Sequence, residues 1–206
     1  MVKDVYEISE SCIYLGVEII YEISIYKMIN EKFISDINIR LETIAIINSF
    51  TNDSKTYYIA LLDKEENSIT STLRKNFNAS SWTFEIREVL DDWKTVLKNE
   101  LLGYFGQYIL QAKAPYIRNE YEGKSNDEFD KIGKKIILES DTSCEFLLDT
   151  FLSDIQKIIG DKFLFNKLKV NWDTPDGYEV WYECYENDYL FDLGDKILFL
   201  HFGGSD

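Results

Sequence analysis

Turn sequences divide the C-terminal part of this chain into short segments that are rich in aromatic and β-branched residues. A Pro-Asp-Gly turn lies within 174–177, and Gly-Asp at 194–195 is typical of a tight hairpin. The intervening segments predict strands at 167–172, 178–186, 189–193 and 196–202, with Asn187–Asp188 as a further turn. Because such short turns join neighbouring antiparallel strands, we expect a meander.

The residues before this region show helical periodicity over most of their length. Apolar residues recur every three or four positions over 4–33 and 36–49, although both ranges also contain the β-branched residues typical of strands. The most regular apolar stripe runs over 82–101 and predicts a helix. Pro115 is expected to end it near residue 113. Further helices are predicted at 67–77, at 125–139 and after Asp141–Thr142 to about 159, with one strand at 55–63.

These predictions describe an α+β fold, in which a helical N-terminal and central part packs on a mainly C-terminal antiparallel β-meander. Helices and strands are segregated rather than alternating, which argues against a doubly wound parallel sheet. A chain of 206 residues is long enough for one large domain. We therefore expect a single domain over 1–206, with a candidate internal boundary in the polar segment 116–127.

An acidic and aromatic window covers residues 171–195. It holds eight acidic and seven aromatic side chains and neither Lys nor Arg. A segment this acidic would be solvated, whereas seven aromatic rings favour a folded surface. The combination is typical of an anionic face that binds a basic partner.

Alternation along the predicted strands assigns the members of this face. On 178–186 the side chains of Glu179, Trp181, Glu183 and Tyr185 would share one side of the sheet. Carboxylates can pair with Arg, and the rings can make cation–π contacts. The predicted partner-binding residues are Trp172, Asp173, Asp176, Glu179, Trp181, Glu183, Tyr185, Glu186, Asp188 and Asp192. The alternative is that the rings pack against a helix and the acids only keep sheet edges apart.

Formal charge is distributed unevenly along the chain. The net charge is −15, and residues 119–206 hold 20 acids and 9 bases, which gives −11. Direct nucleic-acid binding is disfavoured, because phosphate contacts need clustered Lys and Arg. An acidic surface fits a basic protein or a site that normally holds nucleic acid, although solubility alone would also explain it.

Few residues suggest catalysis. His201, the single histidine, could act as a base for Cys184 across the predicted meander, and Glu179 with Glu183 is the best-placed carboxylate pair. Three scattered cysteines and one histidine do not form a zinc motif, and no nucleotide-binding or hydrolase motif occurs. We therefore expect no cofactor, no metal and no enzymatic activity.

In general character the chain resembles small acidic bacterial or phage proteins that neutralise something basic. The resemblance rests on size, acidity, the absence of catalytic motifs and frequent Ile, Asn and Lys, and it covers no motif. It implies an immunity-type protein that inhibits a basic toxin or nuclease, or a phage-type nucleic-acid mimic that blocks a defence enzyme. No apolar run is long enough for a membrane span and no secretory signal begins the sequence, so a cytoplasmic location is expected.

Overall fold

The computed structural model describes residues 31–49, 54–66, 68–77, 82–89, 92–121, 123–140, 142–172 and 185–205. The chain divides between Asp36 and Ile37 into two units, and the fold set out below is that of the second, Ile37–Asp206. Within the described ranges this unit combines helices with a five-stranded antiparallel sheet, so the predicted α+β class is confirmed. The predicted helix over 4–33 lies almost wholly outside those ranges, and the single domain over 1–206 stays a prediction.

The described helices lie in the central part of the chain and most strands lie near its C-terminus. The helices are α1 (residues 31–48), α2 (Ile69–Asn76), α3 (Trp93–Tyr121), α4 (Asn126–Ser140) and α5 (Ser143–Ile159). The strands are β1 (Ser54–Asp63), β2 (Trp82–Val89), β3 (Leu164–Trp172), β4 (Tyr185–Asp192) and β5 (Lys196–Ser205). Their order in the sheet is β1-β5-β4-β3-β2, and each neighbouring pair is antiparallel.

The prediction of one helix over 82–101 is wrong in its first half. Residues 82–89 form the outer strand β2, which pairs with β3 so that Glu85 lies opposite Lys169 and Phe84 opposite Val170. The sequence Trp-Thr-Phe-Glu-Ile-Arg alternates apolar and polar residues, a strand signal that the helical stripe concealed. Pairing with β3 decides between the two patterns.

Helix α3 begins later and ends later than predicted. Asp92 precedes its first residue, and the Asp92 carboxylate accepts a hydrogen bond of 3.2 Å from the backbone N–H of Thr95, which is a helix cap. The helix then continues through Pro115 to Tyr121, so the predicted stop near residue 113 is wrong. Proline removes one intrahelical hydrogen bond at a cost of about 3 kcal/mol, which a long helix packed on α4 and α5 can absorb.

The ends of α4 and α5 follow their sequence signals. Ser125 and Glu128 form a reciprocal cap: the Glu128 carboxylate accepts from the Ser125 N–H at 2.9 Å, and the Ser125 hydroxyl oxygen accepts from the Glu128 N–H at 3.4 Å. The Ser125 hydroxyl also donates to the Glu128 carboxylate at 3.0 Å. The hydrogen bonds from the Ser125 N–H and hydroxyl lower the pKa of Glu128, and the backbone contact contributes most. Gly160 ends α5 with a positive φ of 62°, a conformation that glycine adopts without strain.

Strand β4 corrects a second prediction, because Asn187–Asp188 is not a turn. Both residues lie inside β4, where Asn187 pairs with Phe202 and Asp188 with His201. The hairpin at 194–195 is confirmed, with Gly194 at a φ of 95° between β4 and β5. The predicted turn at 174–177 and most of the strand at 178–186 lie outside the described residues.

Helices cover both faces of the sheet. On one face, Leu73 of α2 packs in a cluster with Leu168, Leu190, Ile197 and Phe199. On the other face, rings of the strands meet rings of α3 and α5. The ring pairs are Phe202 with Phe105 and Phe151, Phe191 with Trp93, and Tyr57 with Tyr104. The sheet is therefore a central layer, and its buried residues alternate between two cores.

Helix α1 is fixed by two asparagine side chains. The Asn38 carboxamide accepts from the Ile59 N–H at 2.8 Å and donates to the Ile59 C=O at 2.9 Å, as a neighbouring strand would. Asn48 donates to the Tyr104 C=O at 2.5 Å and accepts from the Tyr108 N–H at 2.9 Å, which are one turn apart in α3. The first contact shields the free edge of β1, which lowers the risk of edge-to-edge pairing.

Candidate functional site

The predicted partner-binding residues divide into three groups according to what the structure describes. Asp188 and Asp192 are described in full. For Trp172, Tyr185 and Glu186 the backbone is described: Trp172 ends β3 opposite Trp82, while Tyr185 and Glu186 begin β4 opposite Gly204 and Gly203. The remaining residues lie outside the described ranges, and they are Asp173, Asp176, Glu179, Trp181 and Glu183.

Asp188 does not lie on an open face. It is only 2% exposed, and its Oδ1 atom lies 2.7 Å from Nδ1 of His201, which is completely buried. The two residues are directly opposite each other on β4 and β5, and the His201 ring lies 5.0 Å from that of Tyr58. A partner protein cannot reach this carboxylate without opening the sheet face, so Asp188 is a residue of the core.

Asp188 and His201 form a buried pair in which the carboxylate at Nδ1 fixes the orientation of the imidazole ring. The second carboxylate oxygen, Oδ2, is buried without a hydrogen-bond partner among the described residues. Burial of both side chains favours a structural pair over a site open to substrate. Cys184, the proposed nucleophile, lies outside the described residues, so its pairing with His201 stays a prediction.

Asp192 closes the β4–β5 hairpin. Its two carboxylate oxygens accept from the Lys64 ammonium at 2.9 and 2.8 Å, and Oδ1 also accepts from the Gly194 N–H at 3.0 Å. The backbone N–H of Lys64 also donates to the Asp195 C=O at 2.9 Å, which holds Lys64 beside the hairpin. The charge of Asp192 is therefore balanced within the fold.

A polar cluster that the sequence analysis missed joins α3 to the aromatic face of the sheet. Glu100 accepts hydrogen bonds from the Tyr189 hydroxyl and the Lys167 ammonium. Burial raises the pKa of Tyr189 far above its ordinary value, and the Glu100 carboxylate adds to the effect. Lys167 also lies 5.5 Å from the centre of the Tyr189 ring. No local signal could reveal this cluster, because Glu100 is far in sequence from both partners.

A shallow cleft of about 340 Å³ separates the first turns of α3 from the middle of α5. Lys94 and Lys98 lie on one wall, and Asp149, Ser153 and Gln156 on the other. The Lys98 ammonium contacts Asp149 at 2.8 Å and Glu145 at 2.9 Å, and these carboxylates raise the pKa of Lys98. Lys98 is therefore already paired with two carboxylates, and we assign no ligand to this cleft.

The acidic part of the window that remains unassigned lies between β3 and β4. We call residues 173–184 the acidic connection; it carries Asp173, Asp176, Glu179 and Glu183, three aromatic rings and no Lys or Arg. Strand β3 ends at Trp172 and β4 begins at Tyr185, and these strands are antiparallel neighbours. Trp172 and Tyr185, which flank the acidic connection, therefore lie at the same end of the sheet.

In the part of the chain that the structure describes, no three His, Cys, Asp or Glu side chains form a group that could hold a metal ion. Nor does any helix in those ranges have the length and apolar character needed to cross a membrane.

No protein-family model, curated protein or solved structure matches this chain.

Proposed function

We propose that this protein is an acidic inhibitor of the immunity type, which binds a basic toxin or nuclease through the acidic connection. The observation that carries the proposal is the concentration of four carboxylates and three rings over 173–184 without one basic residue. Such a segment combines electrostatic steering of a basic partner with aromatic side chains of the kind that dominate binding energy.

The contacts of neighbouring residues limit which part of the acidic window is proposed to bind the partner. Asp188 and Asp192 have partners inside the fold, and Tyr189 and Phe191 are buried in the core. These residues account for the C-terminal part of the acidic window, and they are removed from the proposed binding surface. The acidic connection, with the flanking Trp172, Tyr185 and Glu186, remains as the segment proposed to contact the partner.

Charge reversal within the acidic connection tests the proposal. We expect the double variant Glu179→Lys and Glu183→Lys to lose a basic protein that the unaltered chain captures from a lysate of the source cells. The control reverses the exposed Glu42 and Asp161 to Lys, which produces the same change in net charge elsewhere. Equal recovery by both variants would remove the acidic connection from the proposal.

Competition distinguishes an ordinary inhibitor from a nucleic-acid mimic. An immunity-type inhibitor can bind its partner while DNA or RNA is also bound, whereas a mimic must be displaced by them. The captured partner is therefore titrated with duplex DNA and with single-stranded RNA at fixed salt. Displacement by either would favour the mimic, and a ternary complex would favour the inhibitor.

A further inference from the structure

Exposed apolar side chains lie where α4 gives way to α5. Phe146 is 70% exposed and Leu147 is 40% exposed in the first turns of α5, and Leu138 is 41% exposed in the last turns of α4. We call Leu138, Phe146 and Leu147 the helix-corner patch. An aromatic ring this exposed on a regular helix loses contact with water only if another surface covers it.

The position of Phe146 on α5 shows that the ring is not a loosely packed part of the core. The buried side of α5 carries Leu148, Phe151, Leu152 and Ile155. At 100° per residue, Phe146 lies on nearly the opposite side of the helix from Ile155. Phe146 therefore lies on the exposed side of α5.

Carboxylates lie near the patch on both helices. The side chains of Glu139, Glu145 and Asp149 are 65%, 41% and 52% exposed. Glu139 pairs with Lys135 at 3.8 Å and Lys98 bridges Glu145 and Asp149, so three carboxylates face two ammonium groups and the rim keeps one net negative charge. An apolar centre with a negative rim is complementary to an apolar pocket with a rim of Lys and Arg.

We infer that the helix-corner patch is a second contact surface for the basic protein partner, with Phe146 as its anchor. The inference rests on the proposed function, because that proposal supplies the partner. It adds a surface on α4 and α5 to the acidic connection. Burial of an aromatic ring at the centre of an interface, with charges at the rim, is the arrangement that concentrates binding energy in few residues.

Site-specific crosslinking in the full chain tests this surface. A photoreactive benzoylphenylalanine is placed at position 146, at position 181 in the acidic connection, or at position 46. Ile46 is a matched control, since it is 66% exposed on a different helix. Each protein is irradiated in a lysate of the source cells, and the adducts are identified by mass spectrometry. The expected result is one basic protein crosslinked at positions 146 and 181 but not at 46.

The outcomes separate this inference from the proposed function. A basic protein crosslinked at 181 alone would leave the proposed function standing and overturn the helix-corner patch. Adducts of equal yield at 146 and 46, or adducts with acidic proteins only, would also overturn it. Absence of a basic adduct at both 146 and 181 would overturn both proposals.

A side-chain deletion gives the quantitative test. With the crosslinked protein purified, Phe146→Ser should weaken binding at least tenfold, while Ile46→Ser should change it less than twofold. Both side chains are largely exposed, so neither variant should alter the unfolding midpoint in urea. Equal affinity of Phe146→Ser and the unaltered chain would contradict the role of Phe146 as an anchor.

Discussion

At the scale of single residues, the fold depends on polar side chains whose partners lie on other elements. Asp188 with His201, Asp192 with Lys64 and Glu100 with Tyr189 all join distant segments. The sequence indicated that acids are abundant here, but periodicity cannot show which of them are paired. Asp188 and Asp192 were assigned to a binding face because their partners, His201 in β5 and Lys64 just after β1, lie outside β4 and cannot be identified from its alternation.

Substitutions of Asp188 and His201 should have strongly non-additive effects on the free energy of unfolding. His201→Phe leaves the Asp188 carboxylate buried without its partner, and we expect the free energy of unfolding to fall by about 3–5 kcal/mol. Adding Asp188→Leu removes the stranded charge, so the double variant should be more stable than His201→Phe alone. Urea unfolding of both single variants and the double variant at pH 7 measures the coupling. Strictly additive losses would show that the two side chains act independently.

The ion pairs of Asp154 predict that its contribution to stability depends on pH. Burial would raise the pKa of this carboxyl, but hydrogen bonds from Lys157 at 2.7 Å and Arg40 at 2.5 Å hold it below the ordinary value of 3.8. The lowered pKa stabilises the folded protein at pH values above the ordinary pKa of the carboxyl. This stabilisation is lost as the pH falls through the folded-state pKa. Asp154→Asn should therefore cost about 1–2 kcal/mol at pH 7 and progressively less below about pH 4. A cost that is constant from pH 7 to pH 2.5 would contradict this assignment.

At the scale of elements, the sequence predicted those whose signals are local. Strand β1, helices α2, α4 and α5, and the hairpin at Gly194 each have a cap, a turn or a clear period within their own residues. Strand β2 was mistaken for helix because its period is ambiguous and its pairing with β3 is not a local property. The passage of α3 through Pro115 depends on packing in the same way.

A close helix crossing predicts opposite effects of two glycine substitutions in α3. A Cβ atom at Gly106 would lie 2.6 Å from Cγ2 of Ile137 in α4, whereas one at Gly103 would have no atom within 4 Å. Gly106→Ala should destabilise the protein by about 1–3 kcal/mol through overpacking, since branched Ile137 has little room to move. Gly103→Ala should stabilise it by about 0.5–1 kcal/mol through helix propensity. Thermal unfolding of the two variants compares them directly, and the same sign for both would refute the crossing geometry.

At the scale of the whole molecule, the described residues form a sheet covered on both faces, with acidic residues gathered toward the C-terminal part of the chain. The α+β class followed from the segregation of helices and strands, which is a global property of the sequence pattern. The same pattern could not show that α2 packs on one face of the sheet, or that α1 shields the edge of β1. Composition predicted the binding face, whereas the structure places Asp188 of the acidic window in the core.

The central claim is that the acidic connection gives this protein its partner through charge. The most direct measurement is the dissociation constant for the captured basic protein at two salt concentrations, for the unaltered chain and for Glu179→Lys with Glu183→Lys. We expect reversal to weaken binding at least tenfold at low salt and to reduce the salt dependence, because screened charge–charge attraction has been removed. An unchanged affinity and an unchanged salt dependence would contradict the claim.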